Sequence, residues 1–369
     1  MGYIEVDQEA ENTVPLRQSI KLAMISAAAV LTHGATGQVC PNYQGGAAMG
    51  TVAAPNLVEA SGLAASRRNA GVIWANNDSG DSARLFALNA DGTHLGIYNF
   101  SGATATDWED IAIGSGINPE LDYLYVGDIG DNLNIRSTIK VYRVAEPTVS
   151  ARQSPTTVTL TGVQTITLAY PDGPRDAETL MVDTNGDIYI VSKRVTAQGR
   201  VYRAPYPQAT SGTITMQFVA QLPWGAVNGN GGATGGDISA DGSAIIVRRL
   251  SGFSPAATLW RRAPGTNLWD AFSSAGCNLT FVAERQGEAV CFLPSSLSFC
   301  TLSEGANQPL YLYSRIPKPG DVTGDDIVNA NDLLAVINAW GPCAPCPADL
   351  TDDGQVNVND LLAVINGWG

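Results

Sequence analysis

Across 369 residues the chain carries a formal net charge of −14 with no basic block, which argues against binding to nucleic acid or to an anionic membrane surface. With 44% hydrophobic residues and 39 glycines it has the composition of a folded, turn-rich protein and not of a disordered one, and its length suits one large domain plus a small one. Only two histidines are present, His33 and His94, which leaves little room for imidazole-based catalysis.

Residues 1 to 39 read as an export segment. Arg17 and Lys21 precede an apolar run, residues 22–31, of the length of a signal-peptide core and too short to span a bilayer; Ala35 and Gly37 follow it. Glu5, Asp7, Glu9 and Glu11 make an acidic lead that is unusual ahead of such a core. His33 falls inside this segment. Cys40 lacks the upstream Leu of a lipoprotein signal, so no lipidation is expected.

From residue 56 to about residue 315 the chain repeats one pattern five times. A polar-then-apolar start appears at Ser61-Gly62-Leu63, Glu109-Asp110-Ile111, Glu178-Thr179-Leu180, Gly236-Asp237-Ile238 and Glu288-Ala289-Val290. An apolar strand follows each, and a third strand carries an aromatic at Phe86, Tyr142, Tyr202, Trp260 or Tyr311. Each unit is a small antiparallel sheet that cannot bury both faces alone, so a mainly β fold is expected: a five-bladed β-propeller. The long interval between Glu109 and Glu178 leaves room for a degenerate sixth blade. Fourth strands are expected at residues 95–100, 165–170, 216–222 and 279–283, and a strand over residues 51–58 is expected to complete the last blade and close the ring.

In such a blade the start of the first strand and the end of the second meet at one mouth of the central channel. First-strand starts offer Asp107, Glu109, Asp110, Asp176, Glu178, Asp237 and Glu288. Second-strand ends offer Asn76, Asn77, Asp78, Asp81, Asp128, Asp131, Asn132, Lys193, Arg194, Arg248 and Arg249. Oxygen ligands gathered from several loops suit calcium, so a further ion at this mouth is one reading, and Lys193 or Arg248 could hold an anion. Turn-forming Asx bonds are the competing reading for each Asp and Asn taken singly. His94 sits in a turn away from this mouth, so hydrolysis here would rest on metal-bound water with Glu109, Glu178 or Glu288 as the base. The run Glu178-Thr179-Leu180 followed by Asp183 to Arg194 resembles segments of phytase-like, esterase-like propellers; Asn76 to Asp81 with Asp107 to Ala112 resembles a broader group of secreted propellers.

Export places the six cysteines in an oxidising setting. A turn at Pro294-Ser295-Ser296 would set Cys291 opposite Cys300 on adjacent strands, and a bridge is expected there. Cys343 and Cys346, in a short Pro-flanked connector, are expected to form a second, since a zinc site would need two further ligands that no nearby His or Cys supplies. Cys40 and Cys277 pair by elimination.

Beyond Pro317 the sequence changes character. Asp321, Thr323, Asp325, Ile327, Asn329 and Asp332 occupy positions 1, 3, 5, 7, 9 and 12 of an EF-hand-like loop, with position 7 ligating through its carbonyl; Asp349, Thr351, Asp353, Gln355, Asn357 and Asp360 repeat the pattern. Two calcium ions are expected. Asp326 stands where the sixth-position Gly is usual, tolerable because Asp adopts a left-handed backbone. Each loop feeds a helix, with Leu333, Val336, Ile337 and Trp340 on one face of the first and Leu361, Val364, Ile365 and Trp368 on one face of the second.

This duplicated loop-helix module resembles a type I dockerin over residues 318 to 369, and the Cys343/Cys346 connector is similar to that of GC-type dockerins. The resemblance implies calcium-dependent folding and docking to a cohesin-like partner on an extracellular scaffold or cell surface. Ala330-Asn331 and Val358-Asn359 replace the hydroxyl pairs common at loop positions 10 and 11 of cellulosomal dockerins. The expected organisation is an export segment over 1–39, a propeller over 40–316 and a calcium module over 317–369. The expected function is that of an anchored, secreted binding protein, with an anchored calcium-dependent hydrolase as the alternative.

Overall fold

A computed structural model describes residues 39–193, 198–224, 231–251, 254–294, 297–343 and 346–368. The export segment but for Val39, and Arg194, lie outside the described residues. Two compact units emerge, one over Cys40–Ile316 and one ending the chain over Pro317–Gly369.

The first unit is a five-bladed propeller. Its innermost strands are Ala60–Ala65, Trp108–Ser115, Ala177–Val182, Gly231–Ile238 and Gly287–Phe292. Each touches the next around the ring, and the last touches the first. Every blade continues outward in antiparallel steps, as in Val72–Asn77, Arg84–Asn89 and His94–Phe100 of blade one. The repeated third-strand aromatic is a spacer between blades. Phe86, Tyr142, Tyr202 and Trp260 are buried, each in a different apolar layer, and Tyr311 packs half-buried against a fifth. Burying one such ring contributes about 2–3 kcal/mol, so the layers, more than the strands' own propensity, hold the ring together.

Three details depart from the expectation. The ring-closing strand is Ala47–Thr51, paired antiparallel with Pro309–Tyr313, and not a strand over 51–58. Pro55 explains the shift: it has no N–H for a ladder, and Ala54 to Leu57 form a turn instead, with Leu57 N–H donating to Ala54 O. The long interval before Glu178 holds no sixth blade. It supplies Gln164–Ala169, the fourth strand of blade two, and Thr156–Leu160, which joins blade one by pairing in parallel with His94–Phe100. Gly96 permits that junction, because a Cβ there would lie 2.6 Å from Thr156 O.

The third departure concerns sulfur. Cys40 is bonded to Cys277 and Cys343 to Cys346, whereas Cys291 and Cys300 are buried free thiols. Their register is as expected, Cys291 opposite Cys300 and Phe292 opposite Phe299. Facing positions bring the Cα atoms opposite but do not by themselves aim the sulfurs at each other. Both pack in one apolar layer with Ala60, Leu63 and Leu302, where burial raises each thiol well above its ordinary range. They serve there as small apolar side chains.

In the second unit, helices α1 (Ala330–Asn338) and α2 (Val358–Asn366) pack around Val328, Val336, Val356 and Val364. Asn329 and Asn357 cap them, each accepting from the N–H two residues on, and Asp332 and Asp360 close the reciprocal capping box. The two helices nearly share a sequence but not an environment. Ile337 of α1 is 5% exposed while Ile365 of α2 is 48% exposed, so the expected buried face of α2 reduces to Val364 with half-buried Leu361. Val358, Leu362, Ile365 and Trp368 form an uncovered apolar stripe. No helix among the described residues is long and apolar enough to cross a membrane.

Candidate functional site at the propeller mouth and in the C-terminal loops

Each inner strand carries a β-bulge at the same height. The register breaks across Ser61, Glu109, Glu178, Thr234 and Glu288, one per blade. A bulge turns its extra residue out of the ladder, and here five polar residues form one ring round the channel. A second set comes from the residue after the second strand in four of the blades. Asp78, Ile129, Lys193 and Glu304 each donate a backbone N–H to the residue just ahead of the blade's inner strand: Glu59, Asp107, Asp176 and Gln286. The two sets meet.

Carboxylate oxygens of Asp78, Asp107 and Glu109 lie within 4.8 Å of one another, and so do those of Asp78, Glu288 and Glu304. Lys193 forms a salt bridge to Glu178. Glu109 and Glu178 are 2% and 5% exposed, and the second oxygen of Glu178 has no hydrogen-bond partner among the described residues. Burial, then Glu178 and Asp78, raise the Glu109 carboxyl well above the usual range. Burial outweighs Lys193 at Glu178, which is also raised. Burial and Glu304 push Glu288 up to about 7; burial and Asp78 push Asp107 up to about 6. Lys193 is raised despite burial, because Glu178 favours its charged form. Gly130 lets the carboxylates close up, since a Cβ there would lie 2.2 Å from Glu109 Oε1 and 2.4 Å from Asp107 Oδ2.

Other residues expected at this mouth have structural duties. Asn77 accepts from the N–H groups of Val58 and Glu59, Asp81 pairs with Arg84, and Asp128 pairs with Arg136. Asp131 accepts from Ile135 and Arg136, Asp176 accepts from Asp131 N–H, and Asn76 donates to the carbonyls of Asn77 and Glu109. Asn132 is exposed. Arg248 is fully buried, paired with Glu284 at 2.5 Å and donating to Ala289 O, so its guanidinium is engaged inside the blade and not presented at the mouth surface. Arg249 lies over the Trp224 ring. Asp110 is a clasp between blades: its carboxylate accepts from Leu180 N–H and Gly236 N–H, on the inner strands of blades three and four.

Asp237 is a correction. It lies next to the far end of its inner strand, where it accepts from Phe292 N–H, and burial pushes it up to about 6. Blade four begins its inner strand at Gly231, so Thr234 and not Asp237 occupies the place that Glu178 holds in blade three. Glu304 was not expected at all. The signal for it is the spacing: it follows its second strand as Asp78 and Lys193 follow theirs. His94 starts the outermost antiparallel strand of blade one, and burial lowers its imidazole below the ordinary range.

In the C-terminal unit each twelve-residue loop folds onto its last residue. Asp332 Oδ1 accepts from Val322 N–H, Thr323 N–H and the Thr323 hydroxyl, at 2.9, 2.9 and 3.0 Å. Thr323 also reaches Asp321 at 3.5 Å, so positions 1, 3 and 12 converge. Asp360 receives the same bonds from Leu350 and Thr351, while Asn357 meets Asp353 at 3.3 Å. Asp326 has φ 64°, the left-handed backbone its place demands. All donors are hard oxygens, and this set fits calcium.

No curated protein matches the sequence. Among solved structures, a PQQ-bound aldose sugar dehydrogenase from Streptomyces coelicolor is similar at 12% identity and TM-score 0.41, covering 75% of this chain and 100% of that one. The Cps50 (Swd1) β-propeller domain of Myceliophteria thermophila is similar at 11% identity and TM-score 0.35, covering 69% of this chain and 83% of that one. Over residues 319–367, the loops and helices just described match the dockerin type I domain.

Proposed function

We propose that this chain is an exported propeller tethered by its C-terminal module to a cohesin-like protein on an extracellular scaffold or cell surface. Calcium in the two loops, held by Asp321, Thr323, Asp325, Ile327, Asn329 and Asp332 and by Asp349, Thr351, Asp353, Gln355, Asn357 and Asp360, sets the helices that dock. The observation that carries this reading is the apolar stripe along α2 and just past its end, where Ile365 and Trp368 are 48% and 50% exposed in a domain matching dockerin type I. Uncovered apolar stripes of this kind mark docking faces. Titration calorimetry of the full chain against a panel of cohesins tests it. A calcium-dependent complex, weakened at least tenfold by Ile365→Asp, is expected; no complex with any cohesin, or one indifferent to chelation, would sink it.

The propeller is then the displayed part, and its mouth is a cation-binding site built from Asp78, Asp107, Glu109, Glu288 and Glu304. A calcium-dependent hydrolase is the second reading, favoured by the Glu178–Lys193 pair beside these carboxylates. In that reading Glu109, Glu178 or Glu288 serves as the base. Esters, lactones and phosphate esters are the substrates to screen; activity abolished by His94→Gln and indifferent to chelation would exclude this mechanism.

A further inference from the structure

We propose that the mouth holds two divalent cations of calcium size, one in each group of three carboxylates, with Asp78 as the ligand common to both. The inference rests on the reading of the mouth as a cation site and adds its nuclearity. Asp78 belongs to blade one, which stands between blades two and five in the ring. On one side it meets Asp107 and Glu109 of blade two, and on the other Glu288 and Glu304 of blade five. Oxygens about 2.4 Å from one calcium ion can be no more than roughly 5 Å apart, and both groups satisfy that limit. Every donor is a carboxylate, with no sulfur or imidazole in either group, which selects a hard cation.

A second and independent observation points to a ligand. Glu178 is nearly enclosed; one of its oxygens is taken by Lys193, and the other has no partner among the described residues. A buried carboxylate oxygen left without a hydrogen bond is costly unless something positive approaches it. Glu178 stands in the same bulge ring as Glu109 of one group and Glu288 of the other, close enough for like-charge repulsion with each. Charge favours two ions over one. Six carboxylates face a single ammonium here, and once all six are ionised two divalent cations bring the set within one charge of neutrality, whereas one ion leaves three.

The test counts ions. Full-length protein carrying Asp321→Ala and Asp349→Ala, which silence the C-terminal loops, is titrated with calcium and examined by native mass spectrometry, with calorimetry for affinity. Two bound ions are expected. Glu304→Gln and Asp107→Asn should each leave one, and Asp78→Asn should weaken both by at least tenfold, with circular dichroism confirming the folded ring. One ion in the parent protein would overturn the pair and leave the cation mouth standing; none would overturn both. Unchanged binding in folded Asp78→Asn would also overturn the bridging assignment. Should a variant fail to fold, the parent's count still decides.

Discussion

In the C-terminal module Asp321 and Asp332 are brought together by one short loop, whereas at the propeller mouth Asp78 meets Glu304 only because the ring has closed. The local gathering is flexible in principle: its carboxylates lean on the loop's own N–H groups, and the loop is as ordered as those bonds make it. The mouth is held by five blades and their buried layers, so its like charges are forced into proximity whether or not anything neutralises them. The first site is expected to order when its ion arrives. The second, as proposed, is built before any ion binds, at a cost in stability.

Chelation should separate the two most sharply. Removing calcium from the full chain is expected to abolish the helical circular-dichroism signal of α1 and α2 while the sheet signal of the propeller persists, because the C-terminal carboxylates repel one another without an ion. Helix content that survives a strong chelator would show the loops to be as rigid as the mouth, and the contrast would fail.

A smaller effect, confined to the mouth, is expected from Lys193→Met. It removes the one ammonium facing Glu178 and leaves a buried carboxylate uncompensated, which costs about 3–5 kcal/mol and lowers the denaturant midpoint of the propeller transition. Saturating calcium should restore part of the loss. A midpoint equal to that of the unaltered protein in chelator would mean that the mouth is solvated well enough to need no counter-charge.

The smallest effect sharpens the comparison with a half-buried carboxylate that lies apart from both groups. Asp237 is pushed up to about 6 from an ordinary 3.8, so the folded protein holds its proton more tightly than the unfolded chain does. Stability from this group is therefore intact below about pH 4 and is lost as pH rises toward 6, by on the order of 2–3 kcal/mol in all. Asp237→Asn removes that dependence. Denaturation of both proteins from pH 4 to pH 7 should show the unaltered protein losing ground to the variant; parallel profiles would contradict the assignment.

What the sequence discloses follows the same division. The calcium loops are legible because their ligands are spaced along one strand of chain, and the blades are legible because apolar alternation and the third-strand aromatics recur. Glu109, Glu178 and Glu288 share one bulge position, as their repeated place in the pattern implies. Glu304 is hidden because its partners are far away in sequence and nothing local distinguishes it from a turn residue. Asp237 is misplaced because Gly231 to Gly236 has the composition of a loop, yet here forms the inner strand under the constraint of its neighbours. The thiols of Cys291 and Cys300 show the limit of register: it tells which residues face, not where their side chains aim.

The ring is fastened by its first strand, Ala47–Thr51, lying against one of its last, Pro309–Tyr313, with Cys40 bonded to Cys277 alongside. During synthesis at about 5–20 residues per second, the early strand waits some tens of seconds for its partner to be made. Until then blade five is unfinished, and the nascent chain presents an open sheet edge at each end, the condition that invites pairing between neighbouring chains. Shielding residues 47–51, or keeping Cys40 reduced until Cys277 emerges, would hold that early strand available for its partner. A chain that stops short of residue 309 lacks the strand against which residues 47–51 close the ring.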